Sequence, residues 1–208
     1  MNNNIKKILA NKLALSFFIT SIIILIIYAF IYNKCIYFAN IINTTSIDLK
    51  TINKDTKYNI NTKRIIDYPA YGDKYANLII DSIDLNLPIY HGDNLNILSK
   101  GVGHYAGSYF PGEGGTVILA AHNTNGFFKR FEELNNGDLV FIKTIYGEFK
   151  YSIYDSKIVN ETDELAFYIN DEKETLIMYT CYPINEYVIG RRTKRYVVYA
   201  NLIGDNYE

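Results

Sequence analysis

A thiol, an imidazole and a guanidinium stand at the ends of three apolar runs. Cys181 ends the run TLIMYTC, and Tyr182-Pro183 then breaks it. His122 ends TVILAAH and is followed by Asn123-Thr-Asn-Gly126. Arg195 opens RYVVYANL. Each residue alone has an ordinary explanation. Free cysteine is among the most buried side chains, and buried structural thiols are inert. A histidine at a strand end often has a packing role, and charges are common at strand edges. On the Cys181 run alone, a core thiol is the better account. The three together describe different chemistry. A thiol is a useful nucleophile when an imidazole can hold its proton or pair with its thiolate. An inward-pointing guanidinium could then donate to the oxyanion formed as that thiolate attacks a carbonyl. Arg191 and Arg192 compete with Arg195 for this role, but they sit in the loop Gly190-Arg-Arg-Thr193, where positioning is looser.

His104 lies in Gly101-Val-Gly-His104, the start of a glycine-rich segment that runs to Gly115. The segment lacks the Gly-Lys-Ser/Thr ending of a phosphate loop. It is read as a shaped surface loop, with His104 either at the site rim or purely structural. His91, in Tyr90-His-Gly-Asp93, is read as structural.

The elements that must position these groups are short. From about residue 75 onward, strand-like runs recur between Gly, Pro, Asn and Asp: 78–80, 87–90, 116–121, 139–144, 148–153, 175–181 and 195–202. Only 94–99 and 127–134 read as helical. Many short strands with so few helices predict a mainly β, closed or nearly closed barrel. Residues 13–32 form a run of twenty without a charge, long enough for a helix to cross the ~30 Å hydrocarbon core of a bilayer. Lys6, Lys7 and Lys12 precede it and Lys34 follows, which places the N-terminus on the cytoplasmic side. The organisation expected is a cytoplasmic 1–12, a transmembrane anchor 13–32, a linker 33–74 and a catalytic β-domain 75–208. Cys35, at the membrane edge, is assigned no role.

The 208 residues carry a net charge of −1, so nothing in the bulk electrostatics points to nucleic acid. Two cysteines and three histidines are too few for a disulfide framework or a His-rich metal site.

An anchored β-domain with His122 at one strand end, Thr180-Cys181 at another and Arg195 at the start of the last resembles the sortases. These are membrane-bound cysteine transpeptidases, mainly of Gram-positive bacteria. Thr180-Cys181 matches the end of the family's Thr-Leu-x-Thr-Cys motif, with Ile177 and Met178 replacing its Thr and Leu. Ile118-Leu-Ala-Ala-His122 resembles the family's Ala-Gly-His segment, with Ala121 where glycine is usual. The family's arginine stands a little over a dozen residues after its cysteine, before a terminal apolar strand; Arg195 stands fourteen after Cys181, whereas Arg192 at eleven lacks that strand. Cys-Tyr-Pro183, Tyr-Val-Ile-Gly190 and Lys-Arg-Tyr196 are most similar to class D. Asp67-Tyr68-Pro69 has the wrong order for the lid motif of pilus-assembling class C, and no second apolar helix follows residue 204.

The resemblance implies an eight-stranded barrel and a substrate bearing a Leu-Pro-x-Thr-Gly-type sorting signal near its C-terminus. It implies Cys181 as nucleophile, His122 as general acid and base, and Arg195 as oxyanion and substrate stabiliser. It also implies Thr180, Tyr182 and His104 as substrate-binding residues. The partners would be sorted surface proteins and a peptidoglycan precursor amine (lipid II), met outside the cell membrane. No cofactor or metal is required by this chemistry. Calcium stimulates some sortases, but Glu132, Glu133 and Asp138 form no calcium loop. Two rival readings stand beside it: a cysteine peptidase that uses the same three residues but only hydrolyses, and a non-catalytic surface-binding β-domain with Cys181 buried and inert.

Overall fold

The computed structural model describes residues 12, 14–32, 58–59, 64–186 and 192–207, in two units divided after Thr44. In the first unit, helix α1 (Ala14–Tyr32) has 19 residues and is long and apolar enough to cross a membrane. Its one internal threonine, Thr20, donates its hydroxyl back to the carbonyls of Ser16 and Phe17. The Thr20 hydroxyl proton is therefore paired within the helix. Leu13, Cys35 and most of the expected linker lie outside the described residues.

In the second unit, a two-stranded pair, β1 (Tyr58–Asn59) and β2 (Arg64–Ile65), precedes eight strands. These are β3 (Lys74–Ile80), β4 (Leu85–His91), β5 (Val102–His104), β6 (Thr116–Ala120), β7 (Leu139–Thr144), β8 (Gly147–Asn160), β9 (Thr175–Tyr182) and β10 (Lys194–Tyr207). They close into a barrel in the order β10-β8-β7-β3-β4-β5-β6-β9, with β9 returning to β10. The pairs β4–β5 and β6–β9 are parallel and the others antiparallel.

Strand alternation builds the inside. Leu78, Ile80, Val117, Leu119, Ile142, Phe149, Tyr151, Leu176, Met178 and Val198 point into one core. Phe128 and Phe131, in a 3-10 turn (Phe128–Glu133), stack at 3.7 Å and are fully buried in that core. The continuous apolar runs of β6 and β9 have a second cause. The outer face of these strands is also covered, by the 3-10 turn Glu164–Phe167, which forms a separate cluster with Ile118, Val159, Ile177, Val197 and Tyr199. Strands covered on both faces lose polar alternation. This turn is too short for a helical period. It is set by Asp163, whose side chain accepts from the N–H of Ala166, and by the Tyr199 hydroxyl, which donates to the Ala166 carbonyl.

Three features depart from the sequence expectation. The compact body begins by Ile65 rather than at 75, because Ile65 is buried in the barrel core and Pro69 bonds His91. Residues 102–104, expected as part of a surface loop, form strand β5 between β4 and β6. Glycines permit this: a Cβ at Gly101 would lie 2.4 Å from the Pro88 carbonyl oxygen, and one at Gly103 2.7 Å from that of Gly92. Strand β8 also runs seven residues past the expected 153, to Asn160, pairing with β10. The rest of the glycine-rich segment is pinned by Glu174, just before β9. Its buried carboxylate accepts from the N–H groups of Gly112 and Gly114 and from the Tyr151 hydroxyl, while burial raises its pKa.

His104 belongs to this interior. It is fully buried, its Nε2 meets the Tyr109 carbonyl at 3.0 Å, and its ring stands edge-on to Phe110. Burial, reinforced by the nearby His91, lowers its pKa to about 3. In the unfolded chain the ring titrates near 6.5. Below that pH the unfolded chain takes up a proton that the folded one does not. The stability that neutral His104 contributes above ~6.5 is therefore lost as pH falls toward 3. Denaturant midpoints measured between pH 7 and 4 should fall more steeply for the native chain than for His104→Gln. The difference in slope should approach about 1.4 kcal/mol per pH unit, the value for one proton.

Candidate active site

Parallel register sets the first two groups. Residues of β6 stand level with β9 residues 59 positions later, from Thr116–Thr175 to Ala120–Tyr179. His122 is two residues past the end of β6, and Cys181 is 59 positions beyond it, so continuing the register brings the two level. Two bonds carry the register past the last paired residues. The N–H of Ala121 donates to the Tyr179 carbonyl at 3.3 Å, and the Thr180 hydroxyl donates to the Ala121 carbonyl at 2.8 Å. One residue further on, Asn123 Nδ2 donates to the Pro183 carbonyl at 3.1 Å, tying together the loops that follow His122 and Cys181.

The antiparallel β9–β10 ladder places the third group, pairing Arg195 directly with Cys181. Directly opposed residues share a face of the sheet. The face is the outer one, since Ile177, Val197 and Tyr199 share its parity and belong to the outer cluster. Cys181 is a free thiol, partly exposed. His122 is also partly exposed, with its ring edge-on to Phe127 at 6.1 Å and its carbonyl accepting from the Phe128 N–H. Burial lowers its pKa, which favours the neutral ring.

A groove of about 710 Å³ runs along this face. Tyr105, Ile118, Phe167, Ile169 and Tyr179 form its apolar part, and Glu161, Thr162, Asp163, Glu164 and Arg195 its polar part. Cys181 and His122 are not among the lining residues; they lie two positions past Tyr179 and Ala120 on their chains, and Cys181 pairs with Arg195, which does line the groove. The guanidinium is well held. Nη2 donates to Glu161 at 2.8 Å, and Nη1 donates to the carbonyls of Arg192 and Lys194, each at 2.9 Å. Arg192 donates to the Glu186 carbonyl, and Arg191 lies outside the described residues.

Of the residues expected at the site, Arg195 alone lines the groove; Cys181 pairs with it across β9–β10, and His122 and Cys181 both lie two positions past the last paired residues of β6 and β9. Thr180, Tyr182 and His104, expected to contact substrate, do not line the groove. Thr180 has the opposite parity to Cys181 and is buried. Tyr182 packs against the barrel core and stacks on Tyr196. His104 is sealed inside, as described above. The groove lining was missed, although the period-2 rule reaches part of it: Tyr179 and Ile118 share a face with Cys181 and His122.

Replacing Thr180 by Val keeps the shape but leaves the buried Ala121 carbonyl without this bond, at a cost of about 1–3 kcal/mol of stability. Because the bond fixes register rather than a substrate contact, kcat should fall while KM stays within about twofold. Steady-state kinetics and urea unfolding of the same variant check both.

A thiol, an imidazole and an arginine near the ends of β9, β6 and β10 are the kinds of group that cysteine acyl transfer uses. A profile of the sortase domain matches residues 78–203. The chain belongs to the sortase family. It is 39% identical over 135 residues to Sortase D of Bacillus subtilis (strain 168), covering 65% of this chain and 67% of that protein. Among solved structures, a Clostridium perfringens Sortase D5 transpeptidase is similar at 29% identity and a TM-score of 0.56, covering 64% of this chain and 80% of that one. Sortase E from Streptomyces avermitilis is similar at 28% identity and a TM-score of 0.56, covering 67% and 93%.

Proposed function

We propose that this chain is a class D transpeptidase, anchored by α1 with the barrel outside the cell membrane. It would cleave a Leu-Pro-x-Thr-Gly-type sorting signal, or its Thr-Ala counterpart, and pass the new carboxyl end to a peptidoglycan precursor amine. The single observation that carries this reading is the register that leaves His122 and Cys181 level past the ends of β6 and β9 and pairs Cys181 with Arg195, a lining residue of the groove.

The groove seats the apolar part of the signal, and the threonine carbonyl lies against Cys181. The thiolate sulfur, its proton held by His122 as imidazolium, attacks that carbon. The oxyanion accepts from Arg195 and a backbone N–H near Cys181. His122, as imidazolium, protonates the leaving amine as the C–N bond breaks and a thioacyl enzyme forms. Neutral His122 then takes a proton from the incoming amine, which displaces the thiolate and restores a peptide bond. The catalytic fraction is the one with thiolate and imidazolium together, and it need not be the major resting form. The chemistry asks for no cofactor or metal. Anchoring raises the effective concentration of a membrane-held substrate and a lipid-linked acceptor.

The test uses the full chain in detergent, a panel of sorting-signal peptides and an amine acceptor, with Cys181→Ala as control. Amide product formed at the expense of free acid supports transfer. Free acid alone, at any acceptor concentration, would leave only a hydrolase. An uncleaved panel and a Cys181 inert to a methanethiosulfonate reagent would favour a binding domain.

A further inference from the structure

Glu161 lies immediately past β8, and its backbone N–H donates to the Thr193 carbonyl at 2.8 Å. That bond ties the end of β8 to the residue just before β10. Its Oε2 accepts from Arg195 Nη2 at 2.8 Å, and the two side chains are only 17% and 18% exposed. The pair differs from Arg130–Glu133, where both side chains are about half exposed and water and salt screen the attraction. Shielded pairs are screened far less.

A guanidinium has five N–H donors. Arg195 gives one bond to Glu161 and two, through Nη1, to the carbonyls of Arg192 and Lys194. The other two N–H groups are not used by these three partners. The three bonds hold a long, rotamer-rich side chain in one place, and its Cα stands opposite that of Cys181. The two Nη1 bonds come from the neighbouring backbone, so any residue sequence there would supply them. The carboxylate is the side-chain partner.

We infer that Glu161 is a positioning residue: from the β8 side of β10 it fixes the guanidinium of Arg195, the residue paired with Cys181 on the β9 side, and leaves the remaining N–H donors for the substrate carbonyl. This rests on the reading of Arg195 as the oxyanion donor. Because Glu161 also lines the groove, the substrate enters past the pair that it uses.

A double-mutant cycle on the full chain in detergent tests this, with single-substrate kinetics on a sorting-signal peptide. In the native background Glu161→Gln should lower kcat about tenfold or more, with KM within about twofold, as expected when a catalytic group is misplaced rather than removed. In an Arg195→Ala background the same change should alter kcat less than about twofold, because the group it positions is gone. An equal drop in both backgrounds, or none in the native one, overturns the inference. A second readout needs no activity. The Arg195 Nε–H resonance, identified by its loss in Arg195→Lys, should shift and broaden in Glu161→Gln; an unchanged resonance overturns the inference. If the native chain cleaves no peptide, the proposed function fails while this signal still decides whether Glu161 holds the guanidinium. If Arg195→Ala is as active as the native chain, the oxyanion role fails and the inference falls with it.

Discussion

Cys181→Ala should abolish both cleavage and transfer, lowering kcat by at least about 10⁴-fold, because no other group in the reaction can form the acyl intermediate. Peptide affinity should survive. The groove is built from Tyr105, Ile118, Phe167, Ile169 and Tyr179, none of which touches the reacting bond in this mechanism. The fold should survive as well, since Cys181 is on the outer face, partly exposed, and outside the barrel core. Binding of a fluorescent sorting peptide to the alanine variant, with an unchanged thermal midpoint, would separate lost chemistry from lost structure. Residual cleavage within about a hundredfold of the native chain would assign the nucleophile elsewhere.

His122→Ala should cost about 10²–10⁴-fold in acylation, the usual worth of a positioned general acid. The loss should depend on the leaving group. An amide nitrogen needs a proton as it departs, whereas an activated ester at the same carbonyl does not. The variant should therefore acylate from an ester with a much smaller deficit, and then stall when an amine must be deprotonated. Single-turnover rates on matched amide and ester substrates check this. An equal deficit on both would make His122 a structural residue that places Cys181. Burial of the half-buried ring favours its neutral form, which is the base.

Much of this site was legible from strand grammar. The runs ending in His122 and Cys181, and the one opening with Arg195, each deliver one polar group at a strand end, and the closed barrel converts those ends into one locus. What the motif match passed over was parity, which strand alternation makes legible. Thr180 and Tyr182 flank Cys181 and for that reason face the opposite way, into the core. His104 was read from glycine content as part of a loop, but the same glycines allow strands β4 and β5 to approach and carry it inside. The outer cover of β6 and β9 was also hidden. A four-residue 3-10 turn has no period to detect, and its effect appears only as apolar runs that a barrel strand open to solvent would not need. Glu161 left no local signal, because its partner lies 34 residues away and the β8–β10 pairing brings them together.

The central claim is that Cys181 is acylated by a sorting-signal peptide at the end of the groove. Intact-mass measurement of the full chain, quenched in acid after mixing with the peptide in the absence of an amine acceptor, tests it most directly. The account predicts a mass increase equal to the fragment ending in threonine, located on Cys181 by peptide mapping, absent from Cys181→Ala and released by an added amine. Cleaved peptide with no adduct on native protein, or an adduct that persists in Cys181→Ala, would contradict it.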